Sequence, residues 1–144
     1  MTPPGTGHGE LIVGIDLGTT NCALAQVGAP GDDDRDASEL RPEVQPVAQV
    51  VNPGEVAERH LLPSFLYLPG DLDFAKGALA LPWDPSPSRL VGELARARGA
   101  EVPGRVVTSS KSWLSHAGVD RTAAILPWQA PEDVPKVSPV QASA

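Results

Sequence analysis

The residues best suited to chemistry lie near the start of the 144-residue chain, in the run Gly14-Ile15-Asp16-Leu17-Gly18-Thr19-Thr20-Asn21. A glycine at a tight turn lets backbone N–H groups approach an anion closely, and two adjacent threonine hydroxyls add further donors. Asp16, one residue before the end of an apolar run, would repel a phosphate directly. It can hold a Mg²⁺ ion through water, and the ion bridges to phosphate. The pattern suits a metal–nucleotide site, although a bare Asp-x-Gly is more often an ordinary hairpin turn with a capping aspartate. It is not a Walker-type loop, because no G-x-x-x-x-G-K-[ST] occurs, and no G-x-G-x-x-G fingerprint follows the strand. Lys111, read alone, is a lysine at the start of a short helix.

These residues need elements to position them. Leu11–Leu17 is apolar, rich in β-branched residues and of strand length; Asn21–Gly28 alternates small and apolar residues; and Gly18-Thr19-Thr20 breaks the two runs, so a β-hairpin is expected. Further strands are expected at 44–51, with Pro46 marking an edge or a start, and at 63–69, with a short extended piece at 105–108. Ser88 is expected to open a helix running to Arg98, with Leu90, Val91, Leu94 and Ala95 on one face and Gly99 as its stop. Ser109 or Ser110 is expected to cap a short helix carrying Lys111, Trp113 and Leu114. Ser138-Pro139 has the form of a helix opening. The expected core comprises Ile12, Ile15, Leu17, Ala23, Leu24, Phe65, Tyr67, Leu90 and Leu94.

Composition narrows the function classes. Apolar residues make up 41% of the chain, enough for one modest domain, while 16 prolines and 14 glycines imply many turns. A net charge of −7 without a basic stripe argues against nucleic acid as a partner. Cys22 is the only cysteine, so no intramolecular disulfide forms, and His8, His60 and His116 lack the spacing of a zinc site. Residues 1–10 read as a flexible leader rather than a signal peptide, and no apolar run reaches membrane-span length, so a cytoplasmic setting without a membrane partner is expected. The stretch 29–43, with Asp32, Asp33, Asp34 and Asp36, reads as an acidic surface loop.

Ile12-Val13-Gly14-Ile15-Asp16-Leu17-Gly18-Thr19-Thr20-Asn21-Cys22 resembles the first phosphate signature of the DnaK-type, seventy-kilodalton heat-shock chaperones. Leu62-Pro63-Ser64-Phe65-Leu66-Tyr67, Val91-Gly92 with Ala95, Val107-Thr108-Ser109-Ser110-Lys111-Ser112-Trp113-Leu114 and Val137-Ser138-Pro139 resemble later segments of that family, in the family's order. The resemblance implies an α/β fold: the N-terminal part of an actin-like, ribonuclease H-like ATPase lobe spanning 11–144. It also implies ATP and Mg²⁺ as cofactors, with Gly18, Thr19, Thr20 and Asn21 at the phosphates, Asp16 at the metal and Lys111 as the catalytic lysine. In the whole ATPase, unfolded polypeptides and co-chaperones would be partners. A second phosphate loop, an adenosine segment and a peptide-binding domain are not among these residues. The expectation is a fragment that by itself binds ATP weakly and does not hydrolyse it. The acidic stretch, the prolines of 82–87 and residues 117–135 depart from the family pattern. A sugar kinase or a cell-shape filament protein, which share an Asp-x-Gly-Thr hairpin, is the alternative, and a non-enzymatic β-rich module is a third reading.

Overall fold

A computed structural model describes residues 10–29 and 40–144. Residues 1–9 of the expected leader and the aspartates of the acidic stretch lie outside the described residues. The fold is mixed α/β, with three antiparallel sheets among the described residues. The first holds the hairpin: β1 (Leu11–Leu17) pairs along its whole length with β2 (Asn21–Gly28), in a register running from Leu11 opposite Gly28 to Leu17 opposite Cys22. The far edge of β2 is shared by β3 (Glu43–Gln45), opposite Leu24 to Gln26, and further on by the two residues of β6 (Leu62–Pro63), opposite Asn21 and Cys22.

The expected strand at 44–51 is two strands. Pro46 lacks an amide hydrogen and cannot continue a ladder, so β3 ends there and β4 (Val47–Asn52) starts a second sheet. Its partner β5 (Glu55–Arg59) is reached through Asn52-Pro53-Gly54, with Gly54 at φ +80°. The third sheet is centred on β7 (Phe65–Tyr67), flanked by β8 (Leu90–Val91) and β9 (Val106–Thr108). Sequence placed a single strand at 63–69; Ser64 instead separates β6 from β7, and each pairs into a different sheet.

Strand β7 sits between two apolar clusters, and its period of two divides its side chains between them. Tyr67 joins Val50, Leu79, Leu90, Leu94 and Ala95, while Leu66 and Leu68 join Val107, Leu126 and Val137 on the other face. Phe65 is half-buried against the first cluster.

The helix expected from Ser88 to Arg98 is α1 (Glu93–Glu101), and its start is displaced. Leu90 and Leu94, four apart, fit one helical face, but Leu90 and Val91 are strand residues of β8. Gly92, at φ +85°, turns the chain from strand into helix. Nor does Gly99 stop the helix. It lies within α1, because the helix passes so close to Val106 that a Cβ would come within 2.6 Å of that side chain. After one 3₁₀ turn at Pro103–Arg105 and β9, a short α2 (Ser110–Leu114) follows Ser109, which occupies the N-cap position in a left-handed conformation without a side-chain capping bond. The last helix, α3 (Pro139–Ser143), begins where the sequence places it. The Ser138 hydroxyl accepts from the Gln141 amide and the Gln141 side chain accepts from the Ser138 amide, a reciprocal capping box.

The assignment of Ile12, Ile15 and Leu17 to the core is corrected by the fold. All three are exposed, Ile15 by 65%, and Ala23 and Leu24 are only half-buried. Among the described strands β1 pairs with β2 alone, and among the described residues nothing covers either of its faces. No described helix is long and apolar enough to cross a membrane.

Candidate functional site

The turn between β1 and β2 is held by donors from distant parts of the chain. The Ser64 hydroxyl donates to the Gly18 carbonyl at 2.8 Å, and the Ser64 amide donates to the Thr20 carbonyl at 2.9 Å. The Lys111 ammonium donates to the Leu17 carbonyl, across 94 positions of sequence. The carbonyls of Leu17, Gly18 and Thr20 are therefore each occupied by a donor of the surrounding protein. A trans peptide sets its N–H opposite its C=O. Engaging these carbonyls turns the amides of Gly18, Thr19 and Asn21 the other way. Thr19 and Thr20 are exposed, and their amides donate to no backbone acceptor among the described residues.

Gly18 is required by close packing rather than by an unusual backbone angle: a Cβ there would fall 2.2 Å from the Asn21 carbonyl oxygen. Cys22 lies beside the clamp, its Sγ 3.5 Å from Ser64 Oγ. A serine has one hydroxyl proton, and here it goes to Gly18, so the Cys22 thiol is the donor of this weak contact. Pro63, just before Ser64, is buried and pairs with Asn21.

The structure brings Lys111 to the hairpin but divides the other expected residues between two sides. Leu17, Gly18 and Cys22, together with Lys111, border a mainly apolar cavity of about 370 Å³ walled by residues such as Phe65 and Leu114. Asn21 faces a second cavity, of about 360 Å³, beside Arg59, His60 and Arg96. Arg59 is ion-paired there with Glu93 at 3.1 Å. Asp16 is exposed on β1 opposite Ala23. The described residues contain no group of three or more His, Cys, Asp or Glu able to cage a metal. A Mg²⁺ ion carried by phosphates needs no such cage, since it keeps several waters and takes one or two carboxylates. The single exposed Asp16 fits that requirement.

Ser64 is the site residue whose role sequence reasoning missed. Pro63-Ser64 marks the break between two strands, but which sheet each strand joins, and hence what the hydroxyl meets, depends on contacts 46 positions apart. No family model, no curated protein and no solved structure matches this chain.

Proposed function

We propose that the chain is part of the actin-like ATPase lobe of a seventy-kilodalton heat-shock-type chaperone, with the β1–β2 turn as its first phosphate-binding hairpin. The observation that carries the reading is the delivery of the Lys111 ammonium to the Leu17 carbonyl, at the base of that turn, from a helix 94 positions away. A cation beside exposed threonine amides that donate to no backbone acceptor among the described residues suits what phosphoryl transfer asks of a protein: positioning plus charge stabilisation, with little covalent work.

In this reading the Thr19 and Thr20 amides and hydroxyls bind the β- and γ-phosphates, and Gly18 lets the backbone approach. Asp16 holds the water shell of Mg²⁺, which neutralises phosphate charge when bound. Lys111 has donor capacity beyond the one bond it makes to Leu17, and its ammonium would stabilise charge on the γ-phosphate. In the whole ATPase, hydrolysis would drive capture and release of unfolded polypeptides.

The test is a titration of the isotopically labelled chain with Mg·ATP, followed residue by residue in an amide NMR spectrum. The expected result is weak binding with shifts confined to residues 16–21 and the Lys111 helix, reproduced by inorganic triphosphate and not by adenosine. Unmoved Thr19 and Thr20 amides at millimolar Mg·ATP would overturn the phosphate-binding reading.

A further inference from the structure

We infer that Ser64 is the positioning residue of the phosphate hairpin, a role that rests on the phosphate-binding reading of the turn and adds a residue to it. One residue holds two of the turn's carbonyls, Gly18 through its side chain and Thr20 through its backbone. Residues 18–20 belong to no strand, so the β1–β2 ladder does not fix the peptides between them. The 18–19 peptide could rotate to aim its carbonyl outward, presenting a negative dipole where a phosphate would sit. The Ser64 hydroxyl removes that freedom: with the Gly18 carbonyl held from the protein side, the Thr19 N–H faces away from it.

The division of labour with Lys111 strengthens the assignment. The Lys111 ammonium holds the Leu17 carbonyl from an exposed side chain, and in the proposed reaction its remaining donors serve phosphate. It reaches only the Leu17 carbonyl at the base of the turn, while the Gly18 and Thr20 carbonyls are held by Ser64. Ser64 is half-buried and backed by the buried Pro63, and its hydroxyl already receives the Cys22 thiol. It stays in place whether or not Lys111 moves, so the Thr19 amide is aimed before an anion arrives. Such donors need no reorganisation on binding.

The experiment compares the wild-type chain with Ser64→Ala, Ser64→Thr and Lys111→Ala, using backbone ¹⁵N relaxation at Thr19 and Thr20 without ligand and the amide shifts induced by inorganic tripolyphosphate with Mg²⁺. Ser64→Ala is expected to make the two threonine amides mobile or exchange-broadened, while strands β7 and β9 stay unchanged, and to weaken triphosphate binding about tenfold. Ser64→Thr, which keeps the hydroxyl, restores both properties. Lys111→Ala weakens binding with the turn still ordered. Unchanged relaxation and affinity in Ser64→Ala would overturn the assignment, as would mobility spread evenly over the whole sheet. If the wild-type chain shows no triphosphate-induced shift, the phosphate reading fails, and the ligand-free relaxation still decides whether Ser64 orders the turn. Should Ser64→Ala not fold, Ser64→Cys carries the comparison, since it fills the space with a far weaker donor.

Discussion

Gln49 and Glu93 stand 44 positions apart and are joined by one hydrogen bond, from the Glu93 backbone amide to Gln49 Oε1 at 2.9 Å. The other end of the same buried side chain donates from Nε2 to the Leu61 carbonyl at 3.0 Å. Gln49 thus caps α1 from a different element, in place of a residue of the helix's own start; the N-cap position is Gly92, which has no side chain to offer. The bond also ties β4 to the chain entering β6 and, through it, to the Ser64 clamp.

Replacing Gln49 by leucine keeps its approximate volume and leaves the Glu93 amide and the Leu61 carbonyl without these partners. Each such bond is worth about 0.5–1.5 kcal/mol net. Gln49→Leu is expected to lower unfolding free energy by about 1–3 kcal/mol in urea denaturation. A loss under about 0.5 kcal/mol would mean that water replaces both bonds.

Gly92 combines φ +85° and ψ −140°, a region open essentially to glycine alone, with a site where a Cβ would meet Gln49 Oε1 at 2.5 Å and Leu62 at 2.8 Å. Gly92→Ala is expected to cost about 2–4 kcal/mol by adding backbone strain to the loss of the Gln49 cap. Gly14→Ala is the control: nothing lies within 4 Å of its added Cβ, and denaturation should place it within about 0.5 kcal/mol of wild type.

Lys111→Met keeps the aliphatic stem of an exposed side chain and removes its charge. Thermal unfolding should shift by no more than the equivalent of about 0.5 kcal/mol. The triphosphate-induced movement of the Thr19 and Thr20 amides should fall severalfold. A large stability loss with unchanged phosphate response would make Lys111 a structural strut.

The Asp73 carboxylate accepts from the Gly70 amide at 2.9 Å and from the Tyr67 hydroxyl at 2.8 Å. The Gly70 amide, foremost, holds its pKa below the usual carboxylate range. A folded-state pKa below the unfolded one stabilises at neutral pH, and that contribution disappears as pH falls through the folded value. Burial, with the Asp73 bond second, raises Tyr67, so its contribution is present below about pH 10 and is lost as pH climbs through the raised value. Asp73→Asn should therefore be less stable than wild type at neutral pH, with the gap closing below about pH 4. A gap independent of pH would exclude the carboxylate charge as its source.

The hairpin was legible because a β-branched run, a Gly-Thr-Thr break and a second run leave few other conformations for residues 11–28. The helix start was not, because Leu90 with Leu94 and Val91 with Ala95 satisfy a helical spacing while Gly92 imposes the opposite local geometry. Strand β5 was missed because Glu55-Val56-Ala57-Glu58-Arg59 has a helix-like composition; the usable signal was the Asn52-Pro53-Gly54 turn before it. Burial of β1 was misjudged for a different reason. An apolar run encodes a strand's readiness to be covered, and whether a cover exists is decided elsewhere in the fold. At the site, residue types marked Gly18, Thr19 and Thr20, and the family resemblance alone pointed to Lys111, but the Ser64 clamp arises from sheet pairing that local sequence does not encode.

The open faces of β1 bear on how the molecule fluctuates. A strand that gives backbone bonds to one neighbour and buries no side chain is held by little cooperative free energy, so it can detach while the sheet centred on β7 remains intact. Native-state hydrogen exchange should resolve this as protection of the inter-strand amides of Leu11–Leu17 well below that of Leu66 and Tyr67. Asp16 and the Leu17 carbonyl ride on that strand. Whatever binds at the turn, or lies against Ile12 and Ile15, would be read out as slower exchange along all of β1, linking occupancy of the site to the opening equilibrium of a whole strand.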